Sequence, residues 1–157
     1  MAEPRRPLFL DDLKVGQRFE TASLQVTREQ IQAFAAQFDP QPFHLDEAAA
    51  RHTFFGGLAA SGWHTAALTM RLQVESGLPF ANGWLGAGGT LEWPNPTRPG
   101  DVLRVVGEVV DIHPSKSRPD RGIVTVRSET VNQDGKVVQV TTAKLLVFRR
   151  PAAAGAG

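Results

Sequence analysis

The chain contains no cysteine. That absence excludes disulfides, thiolate metal sites and a cysteine nucleophile, and it suits a reducing cytosol. An excess of either charge is also missing: 17 Lys and Arg face 16 Asp and Glu, for a formal net charge of +1. A nucleic-acid binder gathers basic residues on one face, so no nucleic-acid partner is expected. Long apolar runs are lacking too. The most apolar helical stretch, about Trp63 to Met70, is far too short to cross a bilayer. The opening Met1-Ala2-Glu3-Pro4-Arg5-Arg6-Pro7 is basic and lacks the apolar run of a signal peptide. The expectation is a cytoplasmic protein with no membrane partner. Ligand spacing is absent as well: His44, His52, His64 and His113, even taken with Asp46, match no metal-site pattern, and no metal is expected.

What is present is enough chain for one domain. At 157 residues it can bury roughly 68–70% of its unfolded surface without a staple. No repeat or internal boundary is visible. Residues 1–157 read as a single domain with an ordered core from about 8 to 150 and loose ends at Pro4–Pro7 and Pro151–Gly157.

The front half carries helical signals. Thr27 and Gln30 form a capping box, and Ile31, Phe34, Ala35 and Phe38 recur on one face that should be buried. Pro40 should end this helix at about Asp39. Pro42 restricts Gln41 in the same way, which predicts that His44 ends a stiff, extended loop. Asp46 can cap a short turn from Glu47 to Arg51. After the break at Phe55-Gly56-Gly57, Ser61 can cap a second helix from about Gly62 to Ser76. That helix is apolar on more than one side and should be largely enclosed. The back half changes to strand character over Trp84–Trp93, Val102–Ile112, Gly122–Asn132 and Val137–Phe148, with a hairpin turn at Asp134-Gly135. Gln17–Val26 reads as an earlier strand. The sum is α+β, a sheet packed around one helix.

Asp39, His44 and Gly62 then converge. Hydration of a double bond conjugated to a thioester needs a base for water, an acid for the α carbon and a donor for the enolate oxygen. A carboxylate and an imidazole can share the proton work near neutral pH. A backbone N–H at a helix start can hold the oxyanion, and glycine allows close approach there. The spacing alone leaves a blander alternative open, in which Asp39 simply closes its helix.

The segment Phe34–Met70 resembles the MaoC-like dehydratase family, which includes the (R)-specific enoyl-CoA hydratases. The family's Asp-x-Asn-Pro-x-His core, Phe-Gly-Gly and His-Gly or Ser-Gly pair stand here as Asp39-Pro40-Gln41-Pro42-Phe43-His44, Phe55-Gly56-Gly57 and Ser61-Gly62. Pro99-Gly100-Asp101 before a Val-rich strand matches as well. The resemblance covers about Val15 to Phe148. It implies a hotdog fold, a homodimer as the smallest working unit, and an acyl thioester substrate carried by coenzyme A or an acyl-carrier protein. It also implies Asp39 and His44 as the catalytic pair, the Gly62 N–H as oxyanion donor, and no cofactor beyond the coenzyme A of the substrate. Gln41 replaces the usual Asn, and Ser61 replaces a frequent His.

Other residues keep two readings. Trp63, Phe43 and Phe54 can line an acyl pocket or simply pack the core, and His64 can line the pocket beside Gly62. Lys116, Arg118 and Arg121 can meet coenzyme A phosphates or sit in a solvated hairpin loop. An acyl-CoA thioesterase and a non-catalytic acyl-binding domain are the rival functions, since one fold hosts many activities.

Overall fold

The computed structural model describes residues 5–152. After a 3-10 turn at Leu10–Asp12, the elements in chain order are β1 (Arg18–Glu20), β2 (Leu24–Gln25), α1 (Arg28–Phe38), α2 (Pro42–Leu45), α3 (Glu47–Ala50) and α4 (Gly62–Ser76). Then follow β3 (Leu85–Glu92), β4 (Val102–Pro114), β5 (Arg121–Val131) and β6 (Val137–Phe148). The long β-branched strands form an antiparallel sheet in the order β1-β4-β5-β6-β3, and β2 also pairs with β4. Along β4 and β5 alternate residues are buried, among them Val105, Val109, Val124 and Val126. This is the period-2 pattern of a sheet with one covered face.

The Gln17–Val26 region is two short strands rather than one. The Thr21 N–H still donates to Val105, but the Ala22 N–H turns away to the Ser76 hydroxyl at 2.9 Å. The ladder is diverted to the end of α4, and pairing resumes only at Leu24. The turn at Asp134-Gly135 forms as the sequence indicates. The Asn132 carboxamide oxygen accepts from the N–H groups of Asp134 and Lys136 there, both at 3.0 Å.

Helix α1 begins with the expected box: Thr27 accepts from the Gln30 N–H, and Gln30 reaches back to the Thr27 N–H. Ile31 and Ala35 are fully buried, but Phe38 is 63% exposed. Phe38 rests on Phe34 (ring centroids 5.0 Å apart) instead of entering the core.

Helix α4 differs more from expectation. Its covered face carries Thr65, Thr69, Leu72 and Gln73, whereas Trp63, Met70 and Val74 are open in the single chain. The polar residues are satisfied against the sheet side. Thr65 meets Thr97 at 2.9 Å, Thr69 meets Thr130 at 2.6 Å, and the Gln73 amide donates to Ser128 at 2.9 Å. Buried polar groups persist when they are paired in this way. One core cluster, including Val26, Ile31, Leu58, Ala60, Leu72, Leu103 and Val138, packs α1, α4 and the segment before α4 against the sheet.

Candidate active site

Asp39 terminates α1: its N–H donates to the Ala35 carbonyl at 2.9 Å, and its φ of −152° and ψ of 68° leave the helical region. The chain does not stay extended to His44. Gln41 is extended, as a residue before proline must be, but Pro42 occupies the first position of the short helix α2, and His44 lies inside it. Proline constrains the residue before it, while its own fixed φ suits a helix start. The helical turn, rather than a rigid strand, aims the imidazole back at Asp39.

His44 Nε2 is 3.3 Å from Asp39 Oδ2, and both side chains are largely shielded from water. The other ring nitrogen, Nδ1, is 2.6 Å from the Ala59 carbonyl oxygen. A carbonyl can only accept, so Nδ1 carries a hydrogen and Nε2 faces the carboxylate. When the ring is neutral, Nε2 and Oδ2 are two acceptors side by side. A water molecule can satisfy both by donating a proton to each.

Gln41 donates its amide to Asp39 Oδ1 at 2.5 Å. Partial burial by itself raises the Asp39 carboxyl, but the Ser61 hydroxyl, the Gln41 amide and the charge of His44 outweigh it and hold the carboxyl below its ordinary value. Asp39 is therefore a carboxylate at neutral pH. Ser61 stands at the cap position of α4 without capping it: its side chain makes no hydrogen bond to the helix. Its oxygen is fully buried and completes no hydrogen bond of good geometry, although it lies close enough to Asp39 to help stabilise the charge. Gly62 is the first residue of the helix, a position with no intrahelical acceptor, and among the described residues its N–H has none elsewhere. An uncapped N–H at the positive end of a 15-residue helix is a ready anion donor.

Next to this group opens a cleft of about 420 Å³. His44, Gly62, Thr65, Trp93 and Thr97 line it, and Phe54 and Phe55 stand on its rim. Gly62 is needed for packing: a Cβ there would come within 2.6 Å of the Trp93 indole. Arg98 braces the rim. Its guanidinium donates to the carbonyls of Phe55 (2.5 Å), Gly57 (3.1 Å) and Leu58 (3.2 Å). Asp101 accepts from the Arg98 N–H at 2.8 Å and from the Gln133 amide at 3.0 Å. This holds the segment whose Ala59 carbonyl meets His44.

Asp39, His44, Gln41, Ser61 and Gly62 are thus brought together. Other expected residues are not. Phe43 meets the His44 ring edge-on at 4.5 Å and packs on the core outside the cleft lining. Trp63 is 63% exposed and touches the cleft only through Trp93, at 5.4 Å between centroids. Phe54 sits on the rim, almost wholly exposed. His64 stacks flat on Phe34 (4.7 Å, 8°), away from the cleft lining, and burial lowers its pKa.

Lys116 and Arg118 belong to the β4–β5 turn, and Arg121 is the first residue of β5. Arg121 is level with Phe148, ten residues along β6 from the cleft residue Val138, roughly 33 Å of strand. Arg121 is tied to Asp120 and lies over the Phe148 ring. No cluster of three or more metal-ligating groups exists among the described residues, and no helix among them is long and apolar enough to cross a membrane. Arg98 and Trp93 carry no sequence signal of their own. Only the position of Arg98 immediately before Pro99-Gly100-Asp101 marks it.

One long helix laid against an antiparallel sheet is the hotdog arrangement, shared with the solved structures of a MaoC-like dehydratase and an R-hydratase. The chain belongs to the MaoC-like dehydratase family: the sequence model described as a MaoC like domain matches residues 12–132. The crystal structure of the MaoC-like dehydratase from Rhodospirillum rubrum superposes with a TM-score of 0.91 at 67% identity, covering 92% of this chain and 99% of that one. The uncharacterized protein YdeM of Bacillus subtilis is 38% identical over 142 residues, 88% of this chain and 96% of its own. The 3-hydroxybutyryl-CoA dehydratase of Methylorubrum extorquens is 30% identical over 134 residues, 85% of this chain and 83% of its own.

Proposed function

We propose that this protein adds water across a trans-2-enoyl thioester to give a 3-hydroxyacyl thioester, and catalyses the reverse dehydration. The observation that carries this reading is the Asp39–His44 pair at 3.3 Å, set beside the uncapped N–H of Gly62. Water held between Oδ2 and Nε2 attacks carbon 3 and surrenders a proton to the pair. The electron pair of the double bond moves toward the carbonyl, and the resulting enolate oxygen takes the Gly62 hydrogen bond. Carbon 2 then receives a proton from the pair. One carbon–oxygen and one carbon–hydrogen bond form, and the free pair is restored. The relative named 3-hydroxybutyryl-CoA dehydratase supports this chemistry and a coenzyme A carrier.

We further propose a homodimer. Trp63, Met70 and Val74 form an open apolar stripe on α4, and Leu85 and Leu91 are open on the edge strand β3. Lys116, Arg118 and Arg121 would reach a coenzyme A bound at this cleft only from a partner subunit.

The test is to offer crotonyl-CoA and follow both the conjugated absorbance and free thiol. Loss of absorbance without thiol release is expected. Thiol release would make the protein a thioesterase, and silence in both would leave it an acyl-binding domain.

A further inference from the structure

We propose that Trp93 limits the acyl group to short chains by standing as a fixed wall over the start of α4; this rests on the hydratase reading above. Trp93 follows β3 and lines the cleft that holds His44 and Gly62. A Cβ built on Gly62 would lie 2.6 Å from Cε2 and 2.7 Å from Cδ2 of the indole. The ring therefore fills the space directly over the Cα of the residue assigned to the thioester oxygen. Acyl carbons attached to that carbonyl must pass the indole.

The wall is held on three sides. The indole N–H donates to Gln139 Oε1 at 2.9 Å. Gln139 is buried, and its amide nitrogen donates to the Thr141 hydroxyl at 2.9 Å, which fixes the oxygen toward the indole. Trp63 meets the ring edge-to-face, with centroids 5.4 Å apart and planes at 80°. Gly62 lies beneath.

Another part of the cleft is lined by buried residues. Thr65, Thr97 and Val138 line it and are buried, and the two threonine hydroxyls are joined at 2.9 Å. Methylenes pushed against that pair would bury apolar carbon on polar atoms without gain. A chain longer than the reacting carbons and a methyl or so meets either the indole or these buried residues.

The test is calorimetric titration of butyryl-CoA and octanoyl-CoA into the full-length protein and into the W93A, W93L and W93F variants, with crotonyl-CoA hydration measured in parallel. The wild type should bind butyryl-CoA more tightly than octanoyl-CoA. W93A should reverse the order, gaining about fourfold in affinity for each further methylene it buries. W93L provides the same comparison if W93A does not fold, and W93F should keep the wild-type order because a ring remains. A wild-type preference for octanoyl-CoA overturns the proposal, as does an unchanged order in W93A and W93L. Binding of neither ligand by the wild type overturns both the wall and the hydratase reading. Ordered binding without hydration of crotonyl-CoA supports the wall and removes the hydratase reading alone.

Discussion

His44 bridges two segments: its Nε2 lies 3.3 Å from Asp39 Oδ2, and its Nδ1 lies 2.6 Å from the carbonyl oxygen of Ala59. The second contact sets the tautomer that points the reactive nitrogen at the carboxylate. Because the proposed mechanism has both groups act on one water, losing either should be crippling. Asp39→Asn and His44→Ala should each lower kcat for crotonyl-CoA hydration by ~10²–10⁴-fold. The double variant should be little worse than the poorer single one, since groups that act as a unit are not additive. Multiplying losses in the double variant would mean that the two residues work independently.

Arg98 should matter through the segment it braces. Lysine keeps the charge but has no planar fork to serve three carbonyls. Arg98→Lys should cost about 1–3 kcal/mol in urea unfolding as carbonyls lose their donor. It should also lower kcat with little change in KM, because the Ala59 carbonyl that orients His44 lies next to the braced residues. Unaltered kcat at wild-type stability would remove this role.

The threonine pair under α4 is asymmetric. The Thr69 hydroxyl donates to the Thr65 carbonyl at 2.9 Å, so at the 2.6 Å contact Thr130 must be the donor to Thr69. Thr69→Val strands the Thr130 hydroxyl and should cost ~1–3 kcal/mol. Thr130→Val leaves Thr69 bonded and should cost less. Equilibrium denaturation of the two variants decides, and the reverse ranking would disprove the assigned donor.

Burial lowers the pKa of His64 below its ordinary value of 6.5. The unfolded chain then takes up a proton that the folded imidazole refuses. Stability contributed by the neutral ring is therefore complete above the unfolded value and is lost as pH falls toward the folded one. His64→Phe, which can keep the stack on Phe34, should flatten the fall in denaturation midpoint between about pH 8 and about pH 5. The same slope in wild type and variant would exclude His64 as its source.

The open stripe on α4 predicts its own consequence. Met70→Lys places a charge at the centre of the proposed dimer contact, far from the Asp39–His44 pair in sequence. Analytical ultracentrifugation should show a shift to monomer, and hydration activity should fall with it. A wild-type protein that sediments as a monomer would dispose of the dimer.

Much of the architecture is legible in the order of residue types. The period of Val, Ile and Thr marks the back-half strands, the Asp134-Gly135 turn is found as read, and the Thr27–Gln30 box places the start of α1, because all three depend on neighbours within a few residues. The Asp39-to-His44 motif likewise singles out the pair on chemistry and resemblance.

Other features depended on contacts between distant segments. The sequence indicated a helix at Gly62–Ser76 but not that its threonines face the sheet, since apolar content alone cannot choose a face when hydroxyls find partners there. It placed Ser61 at a helix start but not its failure to cap, because the hydroxyl lies near Asp39 instead. Local rules made residues 40–44 extended, whereas packing against the 59–60 segment favours a helical turn that turns His44 toward Asp39. Residue order thus determined which groups are available for acid–base chemistry. Only the tertiary structure decided their tautomer and their distance, and set Trp93 against Gly62, because each of these depends on an atom far along the chain.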